Sequence, residues 1–237
     1  MDFFAYNERF VLFGKEHLIV LGLILLGSVA LPSWALRKLD DQGRVRVARA
    51  LSWVISGWVL FWTLTRIALG DFDPRTDLPL DICNMMALTL PFFAHTPRRA
   101  VHEVLYFWIL AGTIQAVLTP HLYDGFPAFT FFKYWFVHGG LVIYAVYATR
   151  ALGFYPPPHA LFRAFLAIQV YALVILGCNL VLGANYVYLL GKPPTASPLD
   201  YLGPWPWYLL AIEPLALAMF GIVYLPVAFA RRKSTLR

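Results

Sequence analysis

Apolar residues run along this chain in seven stretches, and polar residues fall mainly between them. A hydrocarbon core of roughly 30 Å requires about 20 helical residues. The pattern predicts spans at approximately 17–36, 49–69, 78–94, 101–119, 129–149, 161–182 and 207–230, the third being short for a span. We therefore predict an all-α membrane protein, a bundle of seven transmembrane helices in a single domain over residues 1–237.

The composition supports a membrane protein, because 60% of the residues are hydrophobic and only 14% are charged. A soluble domain has roughly a quarter of its residues charged. A net charge of +6 would favour nucleic acid as the partner of a soluble protein, but here the cations lie in short loops and in the C-terminal tail. We expect membrane lipids and not nucleic acid as partners, while the sequence leaves the oligomeric state open.

The positive residues alternate from loop to loop. They occupy the loops after the first, third and fifth spans and the tail: Arg37, Lys38, Arg44, Arg46 and Arg49; Arg98 and Arg99; Arg150 and Arg163; Arg231, Arg232, Lys233 and Arg237. The other loops are acidic or nearly neutral. The positive-inside rule then predicts an external N-terminus and a cytoplasmic C-terminus.

Two segments outside the spans have distinctive compositions. Residues 1–16 mix aromatic and charged side chains, which fits an interfacial lead-in that forms either a short amphipathic helix or a frayed start to the first span. Residues 191–206 contain too many prolines for a regular helix, so we predict an ordered outer loop.

Polar residues within the predicted spans concentrate in their outer halves. These are Glu16, His17, Arg66, Asp81, Cys83, Asn84, Gln115, His138, Cys178, Asn179 and Glu213. Charges inside a membrane usually face the bundle interior or a watery cavity. We infer one polar cavity that opens outward, with separate structural hydrogen bonds as the alternative.

Within this set, Cys83 and His138 form a candidate pair of nucleophile and base. Helix rise puts them about 8 Å and about 14 Å below the outer boundary. Histidine commonly activates a cysteine by favouring its thiolate. The neighbouring polar groups Asp81, Asn84, Gln115 and Glu213 are candidates to orient the imidazole or to donate to an oxyanion.

Other interpretations of these residues stay open. Cys83 is alternatively a small apolar filler, or it forms a disulfide with Cys178. His138 is alternatively a packing residue beside Gly139 and Gly140. A metal held by histidines and carboxylates lacks the i, i+4 spacing of a zinc motif, so we expect neither a metal nor another cofactor.

Three stretches resemble a known family: LPLDICNMM at 78–86, AGTIQAVLTPHLYDGFPAFTFFKYWFVHGG at 111–140 and CNLVLGANYVYLLGKPPTASPLDYLGPWPWY at 178–208. They resemble the YwaF-like family of bacterial integral membrane proteins, over nearly the whole chain. That family is similar to animal transmembrane protein 164, described as a cysteine-dependent acyltransferase that moves fatty acyl chains onto lysophospholipids. The resemblance implies Cys83 as the acyl acceptor, His138 as its partner, and Asn185 and Tyr186 at the outer mouth.

The function hypothesis is a multi-pass enzyme of the bacterial cytoplasmic (inner) membrane. In this hypothesis, Cys83 and His138 transfer the acyl chains of phospholipids or lysophospholipids at the outward-facing cavity, or release them by hydrolysis. The substrate is bound by His17, Arg66, Asn179 and the polar groups named above. The alternative is a transporter or ligand-binding protein that uses the same cavity without covalent chemistry. The chain lacks a visible inverted repeat, which disfavours a secondary transporter.

Overall fold

Each predicted apolar stretch forms a helix in the computed structural model, which describes residues 9–96, 98–193 and 197–235. The main helices are α1 Lys15–Lys38, α2 Asp41–Leu69, α3 Ile82–His95, α4 Arg99–Phe107, α5 Ile114–Leu118, α6 Phe129–Ala151, α7 Ala160–Leu182 and α8 Trp207–Thr235. A π-helix, Trp108–Thr113, joins α4 to α5, and 3₁₀ turns occupy Tyr186–Tyr188 and Pro198–Leu202. The all-α prediction is confirmed, since the described residues contain no strand beyond one isolated bridge between Arg9 and Asp124.

Six helical segments are long and apolar enough to cross a membrane: α1, α2, the continuous segment from α4 to α5, α6, α7 and α8. The shorter α3 has 14 residues, which gives about 21 Å at 1.5 Å per residue. The fold is therefore six candidate spans and one shorter apolar helix, in place of the seven full spans predicted. The orientation of the termini stays a prediction.

Helix α2 begins eight residues before the predicted span. The Asp40 carboxylate accepts a hydrogen bond from Gly43 N–H at 2.7 Å, so it caps the first turn. The sequence pattern places Arg44 and Arg46 in a loop, but both lie on the helix. At the other end, Gly70 adopts φ 75°, a left-handed conformation that ends a helix readily when the residue is glycine.

Helix α6 is the most central element, and two glycines allow close approach to it. A Cβ atom at Gly139 would lie 2.8 Å from Ile24 of α1, and one at Gly140 would lie 2.7 Å from Ile55 of α2. The same glycines follow His138 directly. Close packing of α1 and α2 against α6 thus fixes the position of that histidine.

The segments outside the membrane helices pack against one another at one end of the bundle. Phe10 N–H donates to Tyr123 O at 2.8 Å, which ties the residues before α1 to the loop before α6. Residues 9–14 are not helical. Residues 1–8 of the predicted lead-in, and 194–196 of the predicted outer loop, lie outside the described residues.

Candidate functional site

The loop between α2 and α3 carries the chain to Cys83 and is held by charged contacts. Arg66, at the end of α2, donates from Nη2 to Asp77 Oδ2 at 3.1 Å. The same carboxylate accepts Asp73 N–H at 2.9 Å. At the exposed side of the loop, hydrogen bonds from the Arg75 side chain lower the pKa of Asp73.

Aromatic hydroxyls fix the last residues of this loop. The Tyr186 hydroxyl donates to Pro74 O at 2.8 Å and accepts Leu78 N–H at 2.9 Å. The Tyr171 hydroxyl of α7 donates to Leu80 O. These three hydrogen bonds hold the loop in one defined position where it enters α3.

The side chain of Asn179 secures Tyr186 in turn. Its Nδ2 donates to Tyr186 O at 3.0 Å, and its Oδ1 accepts Tyr186 N–H at 2.8 Å. Asn179 is fully buried, and both ends of its amide are used. Its place in the site is thus indirect, because it positions the loop that leads to Cys83.

Cys83, the second residue of α3, is half-buried and free. Its sulfur lies 3.6 Å from Oγ1 of Thr113, a fully buried residue at the end of the π-helix. Cys178 is also free, so the structure does not contain the disulfide considered as an alternative. The thiol therefore stays available for chemistry.

Lys133 lies near the start of α6 and was not among the predicted site residues. Its ammonium group is within electrostatic reach of Asp77, Asp81 and Cys83, and it also acts on His138. The signal in the sequence was a lone cation inside the apolar and aromatic stretch FTFFKYWFVHGG, since an intramembrane charge usually has a function.

His138 lies on α6, just over one turn beyond Lys133. Its Nδ1 is 2.8 Å from Tyr134 O, and because a carbonyl only accepts, Nδ1 carries the hydrogen. The Tyr134 ring stacks on the imidazole with 4.1 Å between centroids, and the Tyr134 hydroxyl donates to Ala116 O at 2.8 Å. This tautomer leaves the lone pair of Nε2 free to accept a proton.

Asp81 precedes α3 and faces the backbone N–H of Val187. Asn84 is half-buried and follows Cys83 on the same helix. Lys133 and Arg66 both lie over the Trp62 ring, 5.6 and 5.8 Å from its centroid, and Lys133 is within electrostatic reach of Asp81, Cys83 and His138. The Cys83 thiol is hydrogen-bonded to Thr113. Its pairing with His138 therefore stays a prediction. Lys133 is a neighbour that Cys83 and His138 share.

The remaining predicted residues make contacts elsewhere. His17 is fully buried, accepts Phe13 N–H at Nδ1 (3.0 Å) and donates from Nε2 to Val117 O (2.9 Å), so both ring nitrogens are engaged. It fastens the N-terminal segment to α5.

Three further predicted residues connect parts of the fold. Asn185 donates to Gly191 O at 2.8 Å and accepts Leu190 N–H at 2.9 Å, which closes a turn after α7. Glu213 accepts Gln169 Nε2 at 2.7 Å between α8 and α7, and exposed Gln115 lies 3.6 Å from the sulfur of Met219. These contacts join helices and loops outside the cluster around Lys133.

Comparison with known proteins places the chain in a family. Neither the curated proteins nor the solved structures include a match to it. A family model described as the TMEM164 family matches residues 12–224, a range that begins before α1 and ends inside α8. Because the match covers nearly the whole chain, including Cys83, Thr113, Lys133 and His138, this membrane protein belongs to the TMEM164 family.

Proposed function

We propose that this protein transfers fatty acyl chains between lipids, with the sulfur of Cys83 as nucleophile and Nε2 of His138 as general base. The observation that carries the proposal is a free thiol at the start of α3, hydrogen-bonded to Thr113 and within electrostatic reach of Lys133. A histidine that takes the thiol proton generates the thiolate, which is the reactive form. Membership of the TMEM164 family and the resemblance of the LPLDIC and HGG stretches support the same chemistry.

In the first half-reaction, the sulfur attacks the ester carbonyl carbon of a donor phospholipid while His138 Nε2 takes the thiol proton. The negative charge that develops on the carbonyl oxygen is stabilised by the Lys133 ammonium group. The C–O bond to the lysophospholipid then breaks, and the imidazolium returns its proton to that oxygen. The acyl chain is left as a thioester on Cys83.

In the second half-reaction, a lysophospholipid hydroxyl gives its proton to His138 Nε2, and its oxygen attacks the thioester carbonyl carbon. The C–S bond breaks, and the sulfur leaves and recovers a proton from the imidazolium. With water as the acceptor, the same steps release a free fatty acid.

The test uses the purified full-length protein in proteoliposomes, with a phospholipid donor labelled in its acyl chain and an unlabelled lysophospholipid acceptor. Wild-type protein should transfer the label and should carry a hydroxylamine-sensitive acyl group when the reaction is stopped with acid. Cys83→Ala should lose both signals. Cys178→Ala is the matched control, because Cys178 is the other free, half-buried cysteine, and it should keep both. Transfer by Cys83→Ala at the wild-type rate would refute the proposal.

Lys133 gives a second test of the mechanism. Lys133→Met should slow transfer and also slow alkylation of Cys83 by a small neutral reagent, whereas Lys133→Arg should retain most of both rates. Equal alkylation rates in wild type and Lys133→Met would show that the cation does not act on the thiol.

We also propose that the protein lies in the bacterial cytoplasmic membrane as a YwaF-like member, with the Cys83 end of the bundle outside. The support is the basic character of the opposite loops and tail. A reporter that is active only in the cytoplasm should be active when it is fused after residue 237. Activity only of a reporter that works outside the cytoplasm would reverse the assignment.

A further inference from the structure

A cavity lies at the other end of the bundle from Cys83. Its volume is about 380 Å³, and it is formed where α1, α3 and α6 end and where α2 and α4 begin. From Cys83 to Ala94 along α3, and from His138 to Arg150 along α6, helix rise gives about 17 and about 18 Å. This cavity is therefore separate from the proposed acyl-transfer site.

The inner walls of the cavity consist of small and polar side chains. Ala48, Ala94 and Ala151 are almost fully buried and leave the space open because they lack bulk. His102 and Tyr144, also buried, contribute a polar edge in which His102 Nε2 and the Tyr144 hydroxyl lie 3.2 Å apart. His102 Nδ1 also donates to Arg98 O at 3.3 Å, so the cavity combines open volume with a polar edge whose histidine is engaged within the protein.

The charged residues at the cavity are Arg44, Arg150 and Asp41. Arg44 lies 3.1 Å from Asp41, but the Asp41 side chain is 94% exposed, and an ion pair of that kind contributes little. Arg150 is exposed on the last turn of α6, and none of the ion pairs within the described part of the chain includes it. The cavity therefore has an unbalanced positive charge.

This combination suits a phosphate group. A guanidinium group presents paired N–H donors that match phosphate oxygens. Cavities of this volume fall within the range of small-ligand sites, and basic pockets between membrane helices are suited to acidic lipid headgroups. Arg150 lies on the last turn of α6, and the end of a membrane-spanning helix lies near the headgroup region of a bilayer.

We propose that the cavity lined by Arg44, His102, Tyr144 and Arg150 binds the phosphate group of a phosphate monoester. Two sources share this chemistry: the headgroup of an acidic phospholipid such as phosphatidic acid, and a soluble ester such as glycerol 3-phosphate. In either case the Arg150 and Arg44 guanidinium groups bind the phosphate oxygens, and the Tyr144 hydroxyl and His102 form the polar edge beside them.

The test measures ligand-induced thermal stabilisation of the purified full-length protein in a neutral detergent. Dioctanoyl phosphatidic acid is titrated against wild type, Arg150→Gln and Arg44→Gln/Arg150→Gln. The apparent affinity should fall roughly tenfold for the single variant, since a charge-assisted contact is lost, and stabilisation should disappear for the double variant. Arg37→Gln is the control, because Arg37 is an exposed cation at the same end of the bundle but does not line the cavity.

Further arms distinguish the two sources. Dioctanoyl phosphatidylcholine, which has no phosphate monoester, should not stabilise the protein. Stabilisation by glycerol 3-phosphate that depends equally on Arg150 would identify a soluble ester, and its absence would identify the lipid. The proposal is overturned if the double variant responds to phosphatidic acid like wild type, or if Arg37→Gln loses as much affinity as Arg150→Gln.

Ala94→Leu leaves every charge in place and narrows the cavity, because the larger side chain extends from a lining position. It should also weaken stabilisation by phosphatidic acid. Unchanged stabilisation in Ala94→Leu would show that the lipid binds to the basic surface outside the cavity, which also overturns the proposal.

Discussion

Replacing Gly140 by alanine should push α2 away from α6. The added Cβ would lie 2.7 Å from Cγ1 and 3.2 Å from Cδ1 of Ile55, well inside normal contact distance. Ile55 is only 2% exposed, and Cγ1 is attached directly to the branched Cβ, whose χ1 angle is stiff. The contact is therefore relieved by helix separation more than by rotation of the side chain.

The size of the effect follows from two opposing contributions. Overpacking a buried contact costs about 1–3 kcal/mol, whereas alanine favours a helix over glycine by about 1 kcal/mol. Gly140→Ala should thus lower the free energy of unfolding by up to about 2 kcal/mol. Gly57, on α2, has no atom within 4 Å of its added Cβ, so Gly57→Ala should gain the helix contribution alone.

The assay is unfolding of the purified protein by a denaturing detergent in mixed micelles, followed by circular dichroism. The two alanine variants should differ by about 1–3 kcal/mol, with Gly57→Ala the more stable. Because His138 lies two residues before Gly140, the Gly140 variant should also transfer acyl chains more slowly. If Gly140→Ala matches or exceeds Gly57→Ala in stability, the close packing inferred at Ile55 is wrong.

Two further outcomes follow from buried polar contacts. Asn179→Ala removes both hydrogen bonds to the Tyr186 backbone. It should lower the free energy of unfolding by about 1–3 kcal/mol and speed proteolysis at 183–191. Unchanged proteolysis would contradict this prediction. Arg163→Ala should destabilise the protein more than Arg99→Ala in thermal unfolding, because Glu103, 5% exposed, contacts Arg163 at 2.7 Å and the more exposed Arg99 at 3.3 Å. The reverse order would show that distance and exposure do not govern this cluster.

Hydropathy located the seven apolar helical segments of the described residues, since an apolar run long enough to cross a bilayer has few other stable forms. It did not locate the start of α2, because the helix continues beyond the apolar residues through Asp41, Arg44 and Arg46. There the helix is stabilised by the Asp40 cap and by solvation of charged side chains, which hydropathy does not measure.

The sequence predicted the residue types of the candidate site better than the contacts between them. Cys83 and His138 were visible as polar residues in apolar surroundings, but the contact with Thr113 depends on a π-helix that the sequence pattern did not predict. His17 was equally visible, yet both of its nitrogens bind backbone groups. A sequence shows that an intramembrane polar group needs a partner, and the fold determines whether that partner is a ligand or the chain itself.

The π-helix Trp108–Thr113 has a geometric consequence for the second half of its span. A π-helix accommodates an extra residue in its turn, often where a site is formed. Winding this segment as a regular α-helix without changing its length would give the extra residue its own place in the helix and rotate one end of the span relative to the other by roughly 100°. Either Thr113 would turn away from the Cys83 sulfur, or the indole of Trp108 would lose Ala164 O, to which it donates at 2.9 Å. The two contacts therefore hold together only while the segment between them keeps its π geometry.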